Sequence, residues 1–97
     1  MHNLFIDVPI TIIVMMAKKQ DIKLSEARIL VYLESVTNRF KFVGAIASKI
    51  KTDYGYTLHI LKEMHEKGWL RRDKQITKSY YFLTNVAPLK EAKEMML

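Results

Sequence analysis

The stretch VGAIASKIKTDYGYTLHILKEMHEKGWL, residues 43–70, decides how the rest of the chain is read. It opens by placing Val43, Ile46, Ala47 and Ile50 at i, i+3, i+4 and i+7, one apolar stripe of an α-helix, with Ser48, Lys49 and Lys51 outside it. Thr52 and Asp53 break that pattern. Either can cap the next helix, because a short side-chain oxygen accepts one of the backbone N–H groups orphaned at a helix start. The next helix is expected from Tyr54 to Lys67, with Thr57, Leu61 and Met64 inward and Leu58 and Ile60 on the flanks. Gly68 ends it, since glycine takes the left-handed conformation of a helix terminus without steric cost, and Trp69 is placed to fold back on Met64.

Downstream, Trp69–Asp73 and Ser79–Leu83 are strand-like runs separated by Lys74-Gln75-Ile76-Thr77-Lys78, a hairpin with a basic tip. The chain turns at Thr84-Asn85, and Pro88 sets off a short helix with Leu89, Ala92 and Met96 on one stripe. Upstream, Ser25 reads as an N-cap, with Leu24 and Ile29 placed as a hydrophobic staple, for a helix running to about Val36. Leu30, Leu33 and Val36 line its buried face, extended by Ala27 and Val31. Residues 8–20 open with Pro9 and repeat Ile10, Ile13, Val14 and Ala17 at helical spacing. Ile12, Met15 and Met16 make the opposite side apolar too, so such a helix needs covering by its own domain and by another subunit. The β-branched run Thr11 to Val14 leaves a strand open as the alternative.

The fold class is therefore mainly α with a small β-hairpin (α+β). One domain is expected over residues 1–97: an N-terminal dimerisation segment 1–20, a core 24–84 and a C-terminal helix 86–97. With 49% hydrophobic and 27% charged residues the chain is too apolar for a disordered basic tail. Cysteine is absent, which excludes a disulfide framework or a thiolate metal site. The most apolar run, Val8 to Ala17, is half the roughly 20 residues a bilayer crossing needs, and no cationic region precedes it as in a signal peptide. A soluble, cytoplasmic protein with no membrane partner is expected.

The formal net charge of +6 is confined to the middle of the chain. Residues 39–80 hold ten Lys/Arg against four acids, whereas residues 1–38 carry four of each sign and 81–97 two of each. An imbalance restricted to one helix–turn–helix–hairpin unit points to a surface that meets a polyanion, and duplex DNA fits best.

The order helix, helix, capped turn, helix ending in Gly, then basic hairpin resembles the winged helix-turn-helix fold, and in detail the MarR-like and related small archaeal and viral transcription regulators. The matching words are Ile46-Ala47-Ser48-Lys49-Ile50 and Thr52 to Leu70, within a likeness covering residues 24–84. The resemblance implies that the helix after the turn enters the major groove and that the hairpin, or wing, reaches the neighbouring backbone or minor groove. Tyr54, Tyr56 and His59 would then face base edges or phosphates, with Gly55 among them. Lys49, Lys51 and Thr52 would approach the backbone, and Arg72, Lys74, Gln75, Thr77 and Lys78 would form the wing contact. A homodimer is implied as well. The family's long C-terminal helix is cut here to about ten residues, so the dimer leans on Leu4, Phe5, Ile12, Met15 and Met16, with Leu89 and Met96.

Plainer readings stand beside these. An exposed tyrosine can simply cover surface, though two at one helix start favour contact. Gly55 costs about 1 kcal/mol against Ala in a helix, so its bareness serves either close packing on the preceding helix, the favoured reading, or approach of a phosphate. His59 and His65 sit about 120° apart round the helix and no His-Glu-x-x-His motif exists, so no metal is expected. Lys62, Glu63, Glu66 and Lys67 read as a solvated helix face. No phosphate loop, nucleophile–base pair or carboxylate cluster stands out, so neither enzyme activity nor a cofactor is expected. The alternative function is a winged-helix protein-interaction module that docks a partner through its apolar ends and binds no DNA.

Overall fold

The computed structural model describes residues 9–88. The expected contacts of Leu4, Phe5, Leu89 and Met96 lie outside the described residues, as does the body of the expected C-terminal helix. Within them run α1 (Ile10–Gln20), α2 (Leu24–Ser35), a 3-10 turn (Asn38–Phe40), α3 (Val43–Ile50), α4 (Tyr54–Glu66) and the strands β1 (Leu70–Lys74) and β2 (Ser79–Leu83). The described chain is mainly helical with one antiparallel hairpin, an α+β arrangement.

Helix α2 is the hub. Ile29, Leu30 and Leu33 pack with Ile46 and Ile50 of α3, Ile60, Leu61 and Met64 of α4, Leu70 of β1 and Tyr81 of β2. Ala27 and Val31, on another side of α2, pack with Ile13, Met16 and Ala17 of α1. The expected face of Leu30 and Leu33 and its extension by Ala27 and Val31 are buried, and Ile29 joins them because α2 packs against two clusters at once. Residues 10–20 are helical, not a strand. Met16, expected at a dimer surface, is 1% exposed within the chain itself: its position one turn from Ile13 and beside Ala17 puts it against α2. Ile60, expected on a flank of α4, is likewise in the core.

The start of α2 also differs from expectation. Ser25 lies inside the helix and Lys23 is the N-cap residue, because the Glu26 carboxylate reaches back to accept the Lys23 N–H at 2.9 Å. The staple moves with it: Ile22, not Leu24, packs against the cluster that holds Ala27. Glu26 is 1% exposed, and its other oxygen takes the Lys67 ammonium at 2.5 Å. A charge at the root of α2 is thereby tied to the end of α4.

Three helices end in the same way. At Gly68 (φ 81°) the Gly68 N–H reaches the His65 carbonyl and the Trp69 N–H the Met64 carbonyl, each at 3.0 Å, the paired bonds of a Schellman motif. Trp69 packs on the core that contains Met64. Asp21 (φ 55°) and Lys51 (φ 57°) take the same conformation with a Cβ present, and the next N–H of each returns to Ala17 (2.9 Å) and Ala47 (3.1 Å).

In the hairpin Leu70 faces Leu83, Arg72 faces Tyr81 and Lys74 faces Ser79, with Gln75–Lys78 as the loop, closed by the Gln75 N–H on the Lys78 carbonyl at 2.7 Å. Strand β1 therefore begins one residue later than expected and keeps Lys74. A feature not anticipated is a bridge from Phe42 to Tyr80, with the Tyr81 N–H on the Lys41 carbonyl at 2.8 Å. It docks the segment before α3 along β2.

Because an L-residue in the left-handed region costs roughly 1 kcal/mol or more that glycine avoids, Lys51→Gly raises stability by about 1 kcal/mol. A shift of the urea midpoint upward at unchanged m-value is the expected result. Lys67→Met leaves the Glu26 carboxylate buried without its cation and lowers stability by about 2 kcal/mol in the same assay.

Candidate nucleic-acid interface

The corner between α3 and α4 fixes what α4 shows to solvent. Asp53 caps α4, its carboxylate accepting the Tyr56 N–H at 2.6 Å. Thr57, fully buried, donates its hydroxyl proton to the Asp53 carbonyl at 2.8 Å, and the Thr52 and Thr57 hydroxyls are 2.6 Å apart. Since the Thr57 proton is committed to Asp53, Thr52 is the donor in that pair. The Thr52 hydroxyl, expected at a DNA backbone, is thus spent inside the corner.

Helix α4 advances about 100° per residue, so its buried side, Thr57, Ile60, Leu61 and Met64, sets its outward line at Gly55, His59, Lys62 and Glu66. Tyr54 (58% exposed) and Tyr56 (45%) sit about 160° apart on opposite flanks, so they do not act as a pair. Tyr54, Leu58 and Lys62 face the hairpin, where they line a cleft of about 550 Å³ with Arg72, Lys74 and Lys78. Lys78 is seated there by its ammonium, 4.3 Å over the Phe42 ring. Gln75 and Thr77 share the cleft, and Ile76 at the hairpin tip is fully exposed.

The opposite flank is partly occupied by acid. Glu63 takes the Lys23 ammonium at 3.3 Å on one oxygen and lies 3.5 Å from His59 Nε2 with the other. That hydrogen bond and charge hold the Lys23 ammonium above its usual range. Glu63 and Glu66 lie on the later turns of α4, whereas Gly55, Tyr56 and His59 are exposed on its first two turns, which carry no acid of their own beyond the capping Asp53.

Gly55 is not bare for packing. A Cβ added there would meet nothing closer than Asp53 Oδ1 at 3.6 Å, an ordinary contact. The favoured reading from sequence is overturned, and the reason is angular: Gly55 lies on the outward line of α4, away from α3. Lys62, assigned from sequence to a solvated face, is exposed and also borders the cleft. The spacing Tyr54, Leu58, Lys62 carried that signal, and only the position of the hairpin reveals it.

The cationic stretch divides. Lys62, Arg72, Lys74 and Lys78 line the cleft, and Lys49 and Lys51 are exposed at the end of α3. Lys67 is paired with Glu26. Arg39, Lys41 and Arg71 are elsewhere. Successive strand residues point to opposite faces, so Arg71 stands with Phe82 on the far side of the hairpin from Arg72 and Tyr81.

Among the described residues, no helix is long and apolar enough to cross a membrane. No group of three or more His, Cys, Asp or Glu is placed to hold a metal ion among them. Comparison with protein-family models gives no match, and no curated protein matches the chain.

Gly55→Ala adds a helix-favouring methyl into open space, so it raises stability by roughly 0.5–1 kcal/mol. Thermal and urea unfolding check this; a loss of stability would return Gly55 to a packing role.

Proposed function

We propose that the protein is a homodimeric winged-helix transcription regulator that binds double-stranded DNA. The observation that carries the reading is the cleft: four cations and Tyr54 converge between α4 and the hairpin, beside the bare, exposed start of α4. The bridge from Phe42 to β2 adds support, because it sets the hairpin beside the α3–α4 unit as a wing requires.

In this reading the first two turns of α4 enter the major groove. His59 and Tyr56 reach base edges, with Tyr54 at the cleft edge, because ring nitrogens and phenol hydroxyls can donate or accept there. Gly55 lets a phosphate or base edge come close to the helix backbone. Lys74 and Lys78 on the wing, with Arg72 and Lys62 behind them, meet phosphates, and Lys49 and Lys51 approach the strand on the other side of the corner. Phosphate contacts supply affinity and position; base contacts supply sequence preference. The dimer contact falls on α1, where Ile10 and Met15 are exposed and Ile12 is half-covered. Two copies of α4 would occupy successive major grooves about 34 Å apart on a pseudo-palindromic site. Such work belongs in the cytoplasm, with the nucleic acid.

Selection from random duplexes, followed by titration of the selected site, tests the reading. Affinity should fall by about three decades or more between 50 and 200 mM salt if six or more phosphates are engaged. Lys74→Ala and Lys78→Ala should weaken all sequences alike, whereas Tyr56→Ala or His59→Ala should change the preferred site. Gly55→Ala should weaken binding despite its gain in stability. If none of these variants alters duplex binding, the protein-interaction reading replaces this one.

A further inference from the structure

We infer that the far face of the hairpin is a second binding surface, built for a few unpaired nucleotides of single-stranded nucleic acid. Three of the chain's cations stand there over aromatic rings. The Arg71 guanidinium lies 4.6 Å from the centre of the Phe82 ring, Lys41 lies 5.5 Å from the same ring, and the Arg39 guanidinium lies 4.7 Å from that of Phe40. Arg39, Tyr80 and Phe82 border one depression of about 350 Å³ between the 3-10 turn and the hairpin. Two ties hold the neighbouring chain in place. The Tyr32 hydroxyl donates to the Phe40 carbonyl at 2.8 Å, and Phe42 meets Tyr80 edge-on at 6.0 Å.

The chemistry favours unpaired bases over other polyanions. A guanidinium over a ring adds a planar group to the aromatic surface, and bases unstacked from a helix stack on aromatic rings and on guanidinium planes alike. A duplex keeps its base faces hidden and offers this surface only phosphates. The local charge is too small for a phosphate-driven site: Asp73 borders the depression, holding Gln75 Nε2 at 3.0 Å, and Glu34 lies near Lys41. Burial also weakens Lys41's hold on its proton. An acidic peptide would meet those two carboxylates and find no use for the rings. This surface meets the cleft at Gln75 and Thr77 on the hairpin tip but shares none of its cations, so variants of the cations separate it from the duplex-binding reading.

The test is fluorescence anisotropy of the full chain with labelled oligothymidylate and oligouridylate of about 8 nucleotides, within the usual site size of such surfaces. Both should bind, with a log–log salt slope of about 2 or less, since three cations neutralise at most three phosphates at roughly 0.7 each. Lys74→Ala with Lys78→Ala should leave this binding within about twofold. Arg39→Lys with Arg71→Lys keeps the charge but removes the planar stacking groups, and should weaken it about tenfold at an unchanged melting temperature. Single-strand binding that survives the arginine variants, or that is lost with the lysine pair, overturns the proposal. So does a poly-glutamate peptide that competes as well as the oligonucleotides. If only one of the two oligonucleotides responds as described, the site is assigned to that nucleic acid.

Discussion

The buried hydroxyl of Thr57 ties α4 to the chain leaving α3, through its 2.6 Å contact with the Thr52 hydroxyl. It sits where α3 ends and α4 begins, without access to water, and an unpaired hydroxyl there would cost about 1–3 kcal/mol. Its proton goes to the Asp53 carbonyl one turn back in the same helix, and the corner adds the Thr52 hydroxyl as a donor to it. That corner has Lys51 in the left-handed region and Asp53 at the helix cap. The Thr52–Thr57 contact, together with the packing of Ile46 and Ile50 on Ile60, Leu61 and Met64, holds α4 against α3 and sets which residues α4 presents outward.

Two longer-range ties then place α4 in the molecule. At its far end, Gly68 and Trp69 close the helix and send β1 off in the direction that brings Arg72 and Lys74 opposite Tyr54 and Lys62. The Glu26–Lys67 pair joins that same end to the root of α2, in a setting where a lone carboxylate would be costly. The bridge at Phe42 fixes the other edge of the hairpin. The backbone bordering the cleft is tied at three places, and of its cations Lys78 is seated over the Phe42 ring.

Much of this was legible in the sequence because it rests on local chemistry. The stripe Val43, Ile46, Ala47, Ile50, the cap at Asp53 and the stop at Gly68 are each written in one short window, and the observed helices fall there. The hairpin was legible for the same reason, to within one residue at its start. What was not legible depends on partners distant in sequence. Glu26 and Lys67 are far apart in the chain, and neither window shows that the carboxylate is buried. The Phe42 bridge has no periodicity to read. Met16 and Gly55 failed for an angular reason: composition gives a side chain its character, while only the packed arrangement says which way it faces. The charge count was legible, yet it could not show that three of the cations lie behind the hairpin with Phe40 and Phe82.

If duplex DNA lies on the proposed surface, it touches the start of α4 and the cleft-facing side of the hairpin together. Amide chemical-shift mapping of the isotope-labelled protein against a selected duplex tests it most directly. Shifts should concentrate at Tyr54 to His59 and at Arg72 to Lys78, with α1 and the 3-10 turn nearly unmoved apart from any dimer contact. Shifts centred on Ile10 to Leu24, or spread evenly over the exposed lysines, would contradict it.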